Sequence, residues 1–238
     1  MRLDKFISDT GIASRKEAAA AAKCGQLLVD GEAVRDASRH IDPETSRVTF
    51  YGREIFYRKF TYIMLNKPAG YVSATEDSKL PVVTELLPDE LKRMGLFPVG
   101  RLDRDTVGLM ILTNNGQLAH RLLSPKHHVE KEYYFECAEP LDMSAEERFH
   151  SGVTLLDGYE CKEAKIVMSA DRLSGVITLT EGKYHQIKRM IASLDNRVTY
   201  LKRISFAGIP LDTSLSEGKW RFLEKDEETA LLSERGKD

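Results

Sequence analysis

The sequence of 238 residues has no apolar run of the roughly eighteen residues that a membrane helix needs. Its opening, Met1-Arg2-Leu3-Asp4-Lys5, has no apolar signal core either, so a soluble, cytoplasmic protein without a membrane partner is expected. Cysteine is scarce. Cys24, Cys137 and Cys161 are an odd number at wide spacing and form no CxxC pair, which gives no support to a disulfide framework or a zinc site. No set of His, Cys and Asp has metal-ligand spacing, and His127-His128 reads as a loop or an RNA contact. A phosphate-cradling glycine loop and a serine-nucleophile motif are both missing. Charge of one sign is missing as well: the formal net charge is −2. Residues 224–238 contribute −3 of that, which leaves +1 elsewhere, so any RNA binding must come from local patches. What remains is carboxylate chemistry without metal or organic cofactor.

The sequence is 42% hydrophobic, enough for a proper core in one or two domains. Its centre is the stretch Pro98 to Asn114. Val107 to Leu112 is an almost unbroken apolar run of strand length, which reads as a strand buried on both faces. Immediately before it stand Gly100, Arg101, Asp103, Arg104, Asp105 and Thr106. That much charge at the mouth of a core strand serves either a polar turn or chemistry. From the residues alone, Asp103 or Asp105 is a candidate nucleophile or base.

Around this centre the chain reads as α+β. Leu3, Phe6 and Ile7 recur at helical spacing, and Gly11 stops that helix. Ser14-Arg15-Lys16-Glu17 matches a capping box for a second helix, which Gly25 ends. Leu27 to Val29 and Ala33-Val34 flank Asp30-Gly31, a hairpin signal, and Arg47 to Tyr51 adds a strand. Arg15, Lys16 and Lys23 can share one edge of the second helix, with Arg2 and Lys5 nearby. Nine acids offset nine bases over residues 1–55, so a plain solvated face is the bland alternative. Phe56 to Lys59 reads as a short hinge that tethers the modules and leaves them free to reorient.

Beyond the hinge, Tyr62 to Leu65 is a strand entering the turn Asn66-Lys67-Pro68-Ala69-Gly70. Short helices are expected at Val83 to Leu87 and from Asp89, and another at Gly116 to Leu123. Val129 to Ala138 alternates, which puts Tyr133 inside and Tyr134 outside. Ser144 to Ser151 reads as a helix; Ala164 to Met168, Val176 to Thr180, Val198 to Phe206 and Trp220 to Leu223 read as strands. Glu181 to Met190 starts the last long helix. On its wheel Lys188 borders the apolar stripe and can turn inward to a carboxylate, while Arg189 faces solvent or a ligand.

Two resemblances sharpen this reading. Arg2-Leu3-Asp4-Lys5-Phe6, Gly11, Ser14-Arg15, Glu17-Ala18, Gly25 and Val29-Asp30-Gly31 resemble the S4 RNA-binding domain in register. Gly100-Arg101-Leu102-Asp103-x-x-Thr106-x-Gly108-Leu109 resembles the catalytic motif of the pseudouridine synthases. Asn66-Lys67-Pro68-x-Gly70, Lys131-x-Tyr133 and Gly182 to Met190 match that family's other segments in the same order. With the S4-like module in front, the whole resembles the RsuA group, which modifies ribosomal RNA.

The resemblance implies an S4-like domain at 1–56 and a catalytic domain at 60–231. The latter would be a mixed, mostly antiparallel sheet flanked by helices, with a disordered tail at 232–238. It implies that Asp103 is the essential carboxylate, acting on the ribose, on the uracil ring or through a glycal-type intermediate. Lys188 would favour its ionised form. Tyr133 would stack on the flipped uracil, and Arg101 would fill the space it leaves. Asn66, Lys67 and Arg189 would contact substrate RNA, as would Arg2, Lys5, Ser14, Arg15, Lys16 and Lys23 of the first module, mainly at phosphates. Asp105 matches no required position. The expected substrate is uridine 516 of 16S ribosomal RNA, presented on a partly assembled small-subunit particle to a monomeric enzyme. A 23S-directed synthase, a silent S4-type assembly factor and a glycosidase-like nucleoside enzyme are the alternatives. The last would want a second acid at a distance.

Overall fold

The computed structural model describes residues 1–234, which form two compact units. The first comprises residues 1–61 and 84–97. Here α1 (Leu3–Asp9) and α2 (Arg15–Lys23) pack on a small sheet of β1 (Leu27–Val29), β2 (Glu32–Ala33), β3 (Val48–Phe50) and β4 (Arg53–Ile55), in the order β2-β1-β3-β4. Ser14 caps α2 as its sequence implies: the Glu17 amide donates to Ser14 Oγ at 3.2 Å and the Ser14 amide to Glu17 Oε2 at 2.6 Å. Leu3, Phe6, Ile7, Ala18, Ala21, Leu27 and Val48 are fully buried between the layers, so the alanine run is packing surface as well as helix former.

Packing does not follow chain order alone, because α3 (Asp89–Arg93) belongs to this first unit. Gly11, at φ +74°, is the reason α3 comes so close. A Cβ there would lie 1.9 Å from the Glu90 carbonyl oxygen.

The second unit, residues 62–83 with 98 onward, is built on a mixed sheet. Its strands are β5 (Tyr62–Lys67), β6 (Phe97–Pro98, which belongs to this unit from Pro98), β7 (Val107–Thr113), β8 (Lys131–Cys137), β9 (Lys165–Met168), β10 (Ser174–Leu179), β11 (Val198–Phe206), β12 (Ile209–Pro210) and β13 (Trp220–Phe222). The main order is β13-β5-β7-β11-β8-β10-β9, and of these pairings only β7 with β11 is parallel. Every residue of β7 is buried, as expected of a strand covered on both faces. Tyr133, Phe135 and Cys137 point inward from β8, in line with its alternation.

The helices α4 (Gly116–Leu123), α5 (Ala145–Ser151) and α6 (Gln186–Ala192) flank the sheet. The sequence placed the start of the last long helix at Glu181. Instead, α6 begins at Gln186, because His185 is left-handed at φ +49° and cannot extend a right-handed helix. A further helix, α7 (Lys225–Ser233), occupies the acidic stretch and corrects the expected tail: Leu232 and Ser233 are still helical. It is held by a fully buried Leu231, by Arg121 Nη2 donating to the Leu232 carbonyl at 2.7 Å, and by Arg221 donating to Glu227 at 2.7 and 2.8 Å. Residues 235–238 of the expected tail lie outside the described residues. No helix among the described residues is long and apolar enough to cross a membrane.

Candidate active site

The loop before β7 is fixed from three directions. The Thr106 amide donates to the Asp103 carbonyl at 3.1 Å, closing a turn. Ser73 brackets Leu102, its hydroxyl donating to the Leu102 carbonyl at 2.8 Å and accepting from the Leu102 amide at 2.9 Å. The Gly70 amide donates to the Arg104 carbonyl at 2.8 Å. Beneath these, the Lys67 ammonium is fully buried and lies 2.7 Å from the Thr106 carbonyl, 3.1 Å from those of Asp103 and Pro68, and 3.3 Å from that of Arg104. An ammonium has three protons and no acceptor, so it gathers carbonyls that point the same way. Burial lowers the Lys67 pKa to about 8, against the pull of the Asp105 and Asp103 charges.

Above this floor sits a cluster of charge. Lys188 Nζ lies 3.1 Å from Asp103 Oδ2 and 2.5 Å from Asp105 Oδ1, so one ammonium bridges two carboxylates. His185 Nε2 lies 3.5 Å from Asp103 Oδ1. Burial pushes the Lys188 pKa down, but the bonds to Asp105 and Asp103 outweigh it and the net shift is upward. For Asp105, burial pushes up and the Lys188 bond and charge prevail, holding it below the usual carboxylate range. The ammonium therefore stays charged at neutral pH beside a carboxylate that can act as nucleophile or as a fixed negative charge.

The sheet register fixes where Tyr133 lies. Lys67, Gly108, Arg203 and Tyr133 are successive partners across β5, β7, β11 and β8. Tyr133 is thus two strand spacings, roughly 10 Å, from the start of β7. Gly108 permits the row: at φ +100°, a Cβ would meet the Arg203 carbonyl oxygen at 2.3 Å. Arg203 of this row is buried, its Nε donating to the Leu109 carbonyl at 2.7 Å.

The other expected residues divide. Arg101 is exposed on the loop two residues before Asp103. Arg189 pairs with Asp157 and donates from Nη1 to the Tyr184 carbonyl at 3.4 Å. Asn66 and Lys67, expected to touch RNA, do not reach the surface. Asn66 is buried and donates from Nδ2 to the Leu215 carbonyl at 2.7 Å, and Lys67 is spent on the loop carbonyls. In the first unit Arg15, Lys16 and Lys23 are exposed on α2. There Arg2 donates to Asp4 at 2.7 and 3.1 Å, Lys5 pairs with Asp9, and Ser14 is occupied as the cap of α2.

Two members of the cluster stand apart from the expected site: Asp105, a candidate from the residues alone that the resemblance sets aside, and His185, which is assigned no role there. Asp105 had a signal, since it follows Asp103 by two on a short loop. His185 had none, because only the left-handed backbone turns its ring toward Asp103.

Comparison with known proteins identifies the family. The family model for RNA pseudouridylate synthase matches residues 61–193, and the S4 domain model matches residues 1–46. An uncharacterized RNA pseudouridine synthase of Bacillus subtilis strain 168, YtzG, is 45% identical over 98% of this chain and 99% of its own. Ribosomal small subunit pseudouridine synthase A of Escherichia coli K12 is 38% identical over 98% of this chain and 100% of its own. A crystal structure of a pseudouridylate synthase superposes with a TM-score of 0.68 at 35% identity, covering 97% of this chain and 99% of that one.

Proposed function

Because the chain belongs to the RNA pseudouridylate synthase family and carries an S4 domain ahead of its catalytic domain, we propose that Asp103 is its catalytic carboxylate and ribosomal RNA its substrate. The observation that carries this reading is the Lys188 ammonium 3.1 Å from Asp103, on a loop whose backbone is locked by Lys67, Ser73 and Gly70.

The isomerisation breaks the bond between uracil N1 and the ribose anomeric carbon and rejoins that carbon to C5. A proton leaves C5 and one arrives at N1, so the atoms balance without a co-reactant. A stacked base is out of reach, and flipping it out costs on the order of a few kcal/mol. Asp103 then meets the freed ribose or the uracil ring, with the Lys188 ammonium 3.1 Å from its carboxylate. Tyr133, on the same sheet face as Lys67 and Arg203, supplies an aromatic surface for the flipped uracil. Arg101, exposed on the loop, is the residue we assign to occupy the vacated stack. In the first domain, the exposed Arg15, Lys16 and Lys23 suit phosphate contacts that position the RNA.

The target we infer is uridine 516 of 16S ribosomal RNA on a partly assembled small-subunit particle. Support comes from relatives 38 to 40% identical over nearly the whole chain that are named for the ribosomal small subunit. Asp103→Asn is expected to abolish pseudouridine formation on such particles while filter binding of the RNA is kept. Retained turnover in that variant contradicts the assignment.

A further inference from the structure

Tyr184 is 75% exposed, yet it is not a loose surface residue. Its ring stacks on that of His185, with centroids 3.8 Å apart and an interplanar angle of 18°, and exposure that high with one face stacked leaves the other face open. His185 in turn stands 3.5 Å from Asp103. The open aromatic face is therefore one side chain removed from the carboxylate.

The turn that carries the pair is braced from below. Glu181 is buried, and its carboxylate accepts from Tyr159 Oη at 3.1 Å, the Lys162 amide at 3.0 Å and Gln186 Nε2 at 2.5 Å. The Lys183 amide donates to Gln186 Oε1 at 2.8 Å. Exposed Lys183 holds its ammonium over the Tyr159 ring, 5.0 Å from the centroid, and exposed Lys162 holds its own 3.2 Å from His128 Nδ1. An exposed tyrosine alone means little. An exposed ring stacked on a neighbour in a braced turn has the make-up of a base-stacking surface.

Flipping a uridine leaves the bases on both sides of it without a neighbour. Arg101 can serve one of them. We propose that the Tyr184–His185 pair is a stacking platform for a nucleobase adjacent to the target uridine. This rests on the synthase reading above and adds a second, separate contact to it.

The test uses the full-length chain and 16S ribosomal RNA ligated to carry an abasic ribose on the 5′ or the 3′ side of the target. With unmodified RNA, Tyr184→Ala is expected to lower kcat/KM about tenfold, and Tyr184→Phe to leave it near wild type. The wild type should lose a similar factor at one abasic position, and Tyr184→Ala should lose nothing more there. The platform is overturned if Tyr184→Ala equals the wild type, or if its loss adds in full to the abasic loss on both sides. If the wild type forms no pseudouridine, the synthase reading fails. The same RNAs compared by dissociation constant then decide the platform by the same pattern.

Discussion

Lys67 shows how a single side chain can matter to a site without facing it. Its ammonium is buried against the carbonyls of Asp103, Arg104 and Thr106, so the residue that shapes the loop never meets solvent. Its folded pKa of about 8 lies below the ordinary lysine value of 10.5. Between these values the unfolded chain holds one more proton than the folded chain, so this group makes stability rise with pH across that window. The slope is at most about 1.4 kcal/mol per pH unit. Lys67→Met removes the titration along with the carbonyl contacts. Urea unfolding at pH 7 to 10 is expected to show the wild type gaining on this variant as pH rises through 8, and parallel curves would contradict the buried charged lysine.

At the scale of elements, the sequence was most informative where burial alone decides. The apolar run of β7, the alternation of β8 and the capping box of α2 each state their structure locally, and each is found as read. Legibility ends where a distant partner decides. Residues 181–185 have the composition of a helix start, yet Glu181 is held by Tyr159 and Lys162, and the turn ends left-handed at His185. Lys67 reads as a surface charge after a strand, and only the loop folded over it makes it structural. The acidic stretch beyond Glu224 reads as a tail until Arg221 is seen joined to both Asp212 and Glu227. Removing that guanidinium leaves two carboxylates unpaired. Arg221→Met is accordingly expected to speed amide hydrogen exchange across 225–233 and leave the strands of the central sheet unchanged; unaltered exchange in α7 would argue against the clamp.

For the whole molecule, the near-neutral balance of −2 means that RNA affinity must be local. The exposed cations of α2 fall within about 100° of arc on one helix. Arg15→Glu with Lys16→Glu should weaken ribosomal RNA binding at least tenfold and flatten its salt dependence, while kcat at saturating RNA holds. A fall in kcat with unchanged affinity would remove α2 from the RNA path. The central claim, that a carboxylate at position 103 isomerises a uridine of small-subunit RNA, is tested most directly by mapping pseudouridine in ribosomal RNA. The cells would lack the gene and be complemented with either the wild-type chain or Asp103→Asn. The expected result is one pseudouridine in 16S RNA, at position 516, restored by the wild type alone; its presence with the asparagine variant, or its appearance only in 23S RNA, would contradict the account.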